Sequence, residues 1–183
     1  MATTGLADGP PEASVSASPE EFKQAVSAFP TGVVVVSTID EREKPVGFTS
    51  NAFASVSMTP PLVGLFVARS SRTLRSLRRS DVFAVNFLNV SAEHVAARFA
   101  SPADDKFQAV DWVPGIGGVP LLRSASLAIV ECEKFDLIPT GDHELLLGRV
   151  VRATRNQDEE PIVYYEREYM TLPHPRYGSE VSA

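Results

Sequence analysis

The chain has 183 residues, 17 Lys and Arg against 23 Asp and Glu for a formal charge of −6, and a single cysteine. That length fits one ordinary domain able to bury its own core. The lone Cys132 excludes a disulfide framework and a cysteine-rich zinc site, and the acidic balance argues against non-specific nucleic-acid binding.

Residues 1–18 are rich in Ala, Ser, Gly and Pro and poor in large apolar side chains, so they read as a flexible leader that cannot repay the entropy of ordering. They carry neither a basic n-region nor an apolar h-region, and no stretch of the chain approaches a membrane span. The expectation is therefore a cytoplasmic protein with no membrane partner, in which the Asn89-Val90-Ser91 sequon carries no meaning.

Ser18, Pro19, Glu20 and Glu21 form a helix start, with a capping hydroxyl, proline in the first turn and acids at the positive end. Phe22, Ala25, Val26 and Phe29 follow at helical spacing, and Pro30 ends the segment. The pattern then changes to β-branched runs. Residues 33–39 predict a strand, 40–44 a charged hairpin loop, and residues from Pro45 the returning strand. Residues 62–67 and 82–88 predict two further apolar strands, the first fixed at its start by Pro60-Pro61. Between them, 70–80 is helical with Leu74 and Leu77 on one side, and 91–100 is another short helix with Ser91 as its cap.

After an irregular stretch over 101–123, three β segments are predicted at 127–138, 143–155 and 161–172. Residues 174–183 read as a loose tail, leaving 19–173 as the folded domain. Strands succeed one another without a helix between each pair, which argues against a parallel sheet and for a largely antiparallel, closed barrel.

Several features exclude chemistry. The glycines of 114–118 lack the dinucleotide fingerprint, since position 120 is proline and no strand leads in. His94, His143 and His174 have no metal-ligand spacing, so no metal site is expected. Cys132 alternates with Val130 and Ala128 and reads as a small core residue.

Three segments carry positive signals. Thr49, Ser50, Asn51, Ser55 and Ser57 crowd neutral donors and acceptors beside exposed backbone, which suits a phosphorylated or heteroaromatic ligand as well as an ordinary turn. Five of the 17 basic residues fall between Arg69 and Arg79. A helix start flanked by Ser70, Ser71 and Arg72 is a natural phosphate site, the alternative being a solvated face paired with acids elsewhere. Third, Gly141-Asp142 makes a turn that sets His143 at the start of an apolar strand.

Taken together, residues 25–38, 45–63, 70–88, 106–112, 118–122, 141–150 and the tyrosines over 164–169 resemble the flavin reductase-like family, the NAD(P)H:flavin oxidoreductases of two-component monooxygenases. The TGV, SVS-x-x-PPL, FAVN-x-L and GDH-x-x-x-x-G segments stand in the family's order and spacing. The resemblance implies a mainly β, split β-barrel of Greek-key type (the FMN-binding split barrel) with a few short helices. It also implies a homodimer, FMN or FAD as flavin, and NADH as donor with NADPH as the alternative. By the same resemblance Thr49, Ser50, Asn51 and Ala52 line the isoalloxazine and ribityl chain with Ser55 nearby, and Ser70, Ser71, Arg72 and Thr73 lie at the phosphate. Asn86 and Phe87 flank the pocket, and His143 serves as the catalytic-site residue near the nicotinamide. At Ala52 the chain departs from the family's common serine. The implied partner is a separate monooxygenase receiving diffusible reduced flavin. The rival readings are a pyridoxamine-phosphate-oxidase-like enzyme, a flavin- or haem-binding module without turnover, and a structural interaction protein.

Overall fold

A computed structural model describes residues 16–172; the expected leader up to residue 15 and the tail from 174 lie outside the described residues. In chain order the elements are α1 (Pro19–Ser27), β1 (Thr31–Gly32), β2 (Val34–Ile39), β3 (Pro45–Ser50), β4 (Phe53–Met58), β5 (Pro61–Ala68), α2 (Arg72–Arg79), β6 (Val82–Leu88), α3 (Glu93–Ala100), β7 (Val113–Pro114), β8 (Pro120–Leu121), β9 (Ser126–Thr140), β10 (His143–Arg155), β11 (Ile162–Tyr165) and β12 (Glu168–Thr171). The start of α1 is the capping box that its sequence encodes. Glu21 N–H donates to Ser18 Oγ at 3.2 Å, and Ser18 N–H donates back to the Glu21 carboxylate at 2.8 Å. No residue of α1 is buried, and Phe22, Val26 and Phe29 are exposed.

Seven strands form one antiparallel sheet in the order β3-β2-β6-β9-β10-β5-β4. Its two edge strands, β3 and β4, are consecutive in the chain and joined only by Asn51 and Ala52. Three peptide steps span at most about 11 Å, so the sheet must curl until its edges face each other. The ladder nevertheless stays open: β3 and β4 are not hydrogen-bonded neighbours. This corrects the expectation of a closed barrel. Each edge strand is paired on one side only, β3 with β2 and β4 with β5.

A second correction concerns the C-terminal β segment. The single strand expected over 161–172 is a hairpin, β11 and β12, which pairs with β1 in a separate three-stranded sheet. Its turn is made by Glu166 and Arg167 at φ 47° and 71°, left-handed conformations with no glycine or asparagine to announce them. The β9–β10 hairpin, by contrast, turns where Gly141 (φ 59°) signals it, with Thr140 opposite His143.

Two apolar clusters and a smaller third one account for the core. Inside the curl, Val34, Val36, Val63, Leu65, Phe83, Val85, Cys132 and Leu146 pack together, and α2 closes one end with Leu74 and Leu77. Cys132 is thus the small core residue its alternation implied, and burial pushes its thiol up to about 12. On the outer face of β2 and β6, Val33, Val35 and Leu88 are covered by Val95, Ala96 and Phe99 of α3, by Phe107 and by Ile162. Val119 and Leu121 cover Ala84 and Ile129 farther along. The outer face of β4, β5 and β10 is different. Phe66, Leu145 and Ile138 stand opposite one another across three strands, and Phe66, Ile138 and Val56 are exposed.

Candidate functional site

Where α2 begins, the outer side of β3 and the end of α3 leave a cavity of about 470 Å³, a size ordinary for small-molecule sites. Its wall includes Gly47 and Thr49 of β3, Ser70–Thr73 at the α2 start, Phe99, the 101–104 loop, Lys106 and Phe107. Alternation along β3 turns Gly47 and Thr49 toward α3. Thr49 Oγ1 donates to Ala96 O at 2.6 Å, and Thr73 Oγ1 donates to Gly47 O at 3.3 Å, so both helices are tied to this one strand. Gly47 is required by close approach: a Cβ there would sit 2.8 Å from Val36 O, 3.1 Å from the Phe99 ring and 3.3 Å from the Phe107 ring. Those two rings meet edge to face at 4.8 Å and give the cavity an aromatic floor.

The polar side of the cavity is cationic. Ser71 occupies the N-cap position of α2 but makes no capping bond with its side chain, leaving first-turn N–H groups without the usual hydroxyl partner. Arg72 donates to the Asp104 carboxylate, to Pro102 O and, at 3.2 Å, to Ala103 O. Lys106 Nζ donates to Phe99 O at 2.7 Å. Burial, reinforced by the Arg72 charge, holds the Lys106 ammonium below its ordinary value. Uncapped helix N–H groups, two cations and adjacent hydroxyls form a suitable receptor for a phosphoryl group.

The other expected residues fall into three places. Ser50, Asn51 and Ala52 cross the opening between β3 and β4, where Ser50 Oγ accepts Ala52 N–H at 3.1 Å and Ala52 O accepts Phe66 N–H at 3.2 Å. Asn51 lines a second cavity of about 410 Å³ with α1, Tyr164, Glu166 and Arg167. Phe87 lies near this opening, meeting Phe53 edge to face at 4.8 Å, and Ser55 is exposed on β4. Asn86, expected to flank the pocket, is instead fully buried. Its amide donates to Val35 O at 3.1 Å and Ser37 Oγ at 3.0 Å, and its carbonyl accepts Leu122 N–H at 2.8 Å. With both ends engaged by the protein, Asn86 is an internal strut.

His143 does not line the larger cavity, but the fold brings its turn alongside the α2 start. Its Cα stands opposite Ala68, and Arg69 N–H donates to Asp142 O at 3.0 Å. His143 Nδ1 lies 2.6 Å from the Asp142 carboxylate, which hydrogen bonding and charge from the imidazole hold below its ordinary value. The remaining arginines of α2 pair with acids elsewhere in the fold: Arg75 and Arg79 with Glu41, and Arg78 with Glu144. Sequence reading missed Lys106 and the 101–104 loop as parts of the site. The Lys-Phe pair at 106–107 was the available signal, since the phenylalanine that anchors the floor holds the lysine beside it.

Comparison with known proteins finds similar chains along most of its length. The flavin reductase like domain family matches residues 26–173. A flavin reductase (NADH) of Kitasatospora aureofaciens is 38% identical over 92% of this chain and 84% of its own. The reductase subunit HsaB of a flavin-dependent monooxygenase of Rhodococcus jostii is 35% identical over 86% of this chain and 83% of its own. Not all relatives are the same length: this chain spans 52% of a probable flavin reductase of Rhizobium meliloti, to which it is 40% identical over 90% of this chain. The solved NADH:FAD oxidoreductase SgcE6 of Streptomyces globisporus, in complex with NAD and FAD fragments, superposes with a TM-score of 0.81 at 34% identity, covering 86% of this chain and 94% of that one. Matched along most of its length in sequence and in fold, the chain belongs to the flavin reductase-like family.

Proposed function

We propose that the protein is an NAD(P)H:flavin oxidoreductase that transfers a hydride from NADH to FMN or FAD and supplies reduced flavin to a separate monooxygenase. The observation that carries this reading is the convergence of Thr49 and Ser70–Thr73 on one cavity with an aromatic floor and a cationic rim. Residues far apart in sequence meet there, and the Ser70 and Ser71 hydroxyls, the Arg72 guanidinium and the first-turn N–H groups of α2 suit a phosphoryl-bearing flavin. When bound, the flavin supplies the redox chemistry by accepting a hydride from the dihydronicotinamide.

The chain's own residues then bind and orient. Ser70, Ser71, Arg72 and Thr73 hold the phosphoryl end, and Thr49 fixes the wall beside it. Ser50, Asn51 and Ala52 present backbone and small polar groups at the opening between β3 and β4, with Ser55 and Phe87 close by. Backbone N–H groups at this opening would stabilise the negative charge that a bound flavin ring gathers on reduction. His143, set beside the α2 start and held by Asp142, orients the nicotinamide. No nucleophile is needed, which accounts for a site rich in small hydroxyls and poor in conventional catalytic groups.

The bare outer face carrying Phe66, Ile138 and Val56, which no described element covers, supports a homodimer in which a second copy buries it. The relatedness to a monooxygenase reductase subunit supports the separate oxygenase partner, reached by diffusion.

The test follows NADH consumption at its absorption band with FMN, FAD and riboflavin added in turn. Turnover that depends on flavin supports the reading; flavin binding without turnover identifies a binding module, and no flavin dependence rejects the proposal. His143→Ala should raise the nicotinamide KM, slow hydride transfer, or both. Unchanged values would remove His143 from the site.

A further inference from the structure

Arg72 is the one cation at the start of α2 that faces the cavity, and both of its terminal nitrogens are already engaged. All three of its acceptors come from a single loop: the Asp104 carboxylate, Pro102 O and Ala103 O. The same loop lines the cavity together with Ser70 and Ser71. Asp104 is also the sole carboxylate on a wall whose other ionisable groups, Arg72 and Lys106, are basic. The pair is open to water, with 59% of the Arg72 side chain and 90% of the Asp104 side chain exposed, so it contributes little to folding and exchanges easily. A carboxylate placed against the cation of a phosphate-binding surface shares the ligand's sign of charge and its anionic oxygen acceptors.

We propose that Asp104 is an affinity-setting residue: an internal anion that occupies Arg72 when the site is empty and competes with the flavin phosphate for it. This rests on the reading of Arg72 as a phosphoryl contact. Binding of a phosphorylated flavin exchanges one charge-assisted pair for another, so the net gain is smaller than a free arginine would give. The bound flavin keeps its ring contacts but is held less firmly at its phosphate, and the difference falls mainly on the dissociation rate. A protein that must release its product to another enzyme benefits from such a counterweight. Riboflavin, having no phosphate, does not compete with Asp104 and is indifferent to it.

The test uses flavin fluorescence quenching to titrate the full chain, wild type and Asp104→Asn, with FMN and with riboflavin, and repeats both titrations in an Arg72→Ala background. The expected result is that Asp104→Asn binds FMN about two- to fivefold more tightly, the range set by the strength of an exposed ion pair, while riboflavin affinity does not move. In the Arg72→Ala background the Asp104 effect should vanish. If Asp104→Asn leaves FMN affinity unchanged while Arg72→Ala still weakens FMN selectively, the competition is overturned and the phosphate reading stands. If Asp104→Asn tightens FMN equally with and without Arg72, the carboxylate acts through the general potential and the proposal is again overturned. If Arg72→Ala weakens FMN and riboflavin alike, the phosphate reading fails and takes the proposal with it.

Discussion

The two ends of α2 carry the same residue type in opposite circumstances. At its start, Arg72 is held by an exposed carboxylate on a loop and faces a cavity. At its end, Arg78 reaches Glu144, whose side chain is 7% exposed and anchored in β10. Lys134 satisfies the last carbonyls there, donating to Leu77 O at 3.1 Å, Arg78 O at 2.9 Å and Ser80 O at 2.7 Å. One end is capped by the Lys134 side chain, whereas at the other the Ser71 side chain makes no capping bond. Between them Leu74 and Leu77 fix the helix to the core, so the open end is presented from a rigid support. The two arginines therefore differ in the burial and attachment of their acids rather than in charge.

Substitutions along the helix test this division. The largest effect should come from Leu77→Ala, which empties a fully buried position and costs about 2–5 kcal/mol of unfolding free energy in urea titration. Because Cys132 lies in the same cluster, its unreactive thiol should become accessible to alkylation as that variant opens. A loss below 1 kcal/mol would break the claim that α2 is pinned from the middle.

Next in size, Arg72→Ala should weaken FMN by about 1.5–3 kcal/mol, the worth of a hydrogen bond to a charged group. Riboflavin affinity and thermal stability should change little, since an exposed pair contributes roughly 0–1 kcal/mol. A large fall in Tm would show that the two ends are alike.

The smallest effect is pH-dependent. Hydrogen bonding and charge from Arg78 hold the Glu144 carboxyl below its ordinary value. A group lowered on folding adds stability that is fully present above its unfolded value and is lost as the pH falls through the folded one. Glu144→Gln should therefore lower Tm at neutral pH, and the gap to wild type should close as the pH drops below about 4. A gap constant from pH 7 to pH 3 would mean that packing, rather than charge, is what the glutamate contributes.

Much of the fold was legible. The capping residues of α1, the apolar side of α2, and strands β2, β5, β6, β9 and β10 are announced by local periodicity and β-branched runs. The start of α2 was legible too, from serines and an arginine in a helix-opening pattern. The turn at Glu166-Arg167 was not, because its residues have no intrinsic leaning to positive φ. The competing acid was hidden as well: nothing in the spacing of Asp104 distinguishes it from Asp105, which accepts from Gln108 instead.

By itself the sequence determined the order and type of most elements and, through its motifs, the family, since helix and strand signals operate over a few neighbouring residues. The tertiary structure alone decided which polar groups line a cavity and which face one another. Arg72 meets Asp104 across 32 residues, Asn86 receives Leu122 across 36, and Lys106 reaches Gly47 at 3.5 Å across 59. Partners that distant are chosen by how the sheet curls and where the helices dock, and curvature is a property of the assembled strands together.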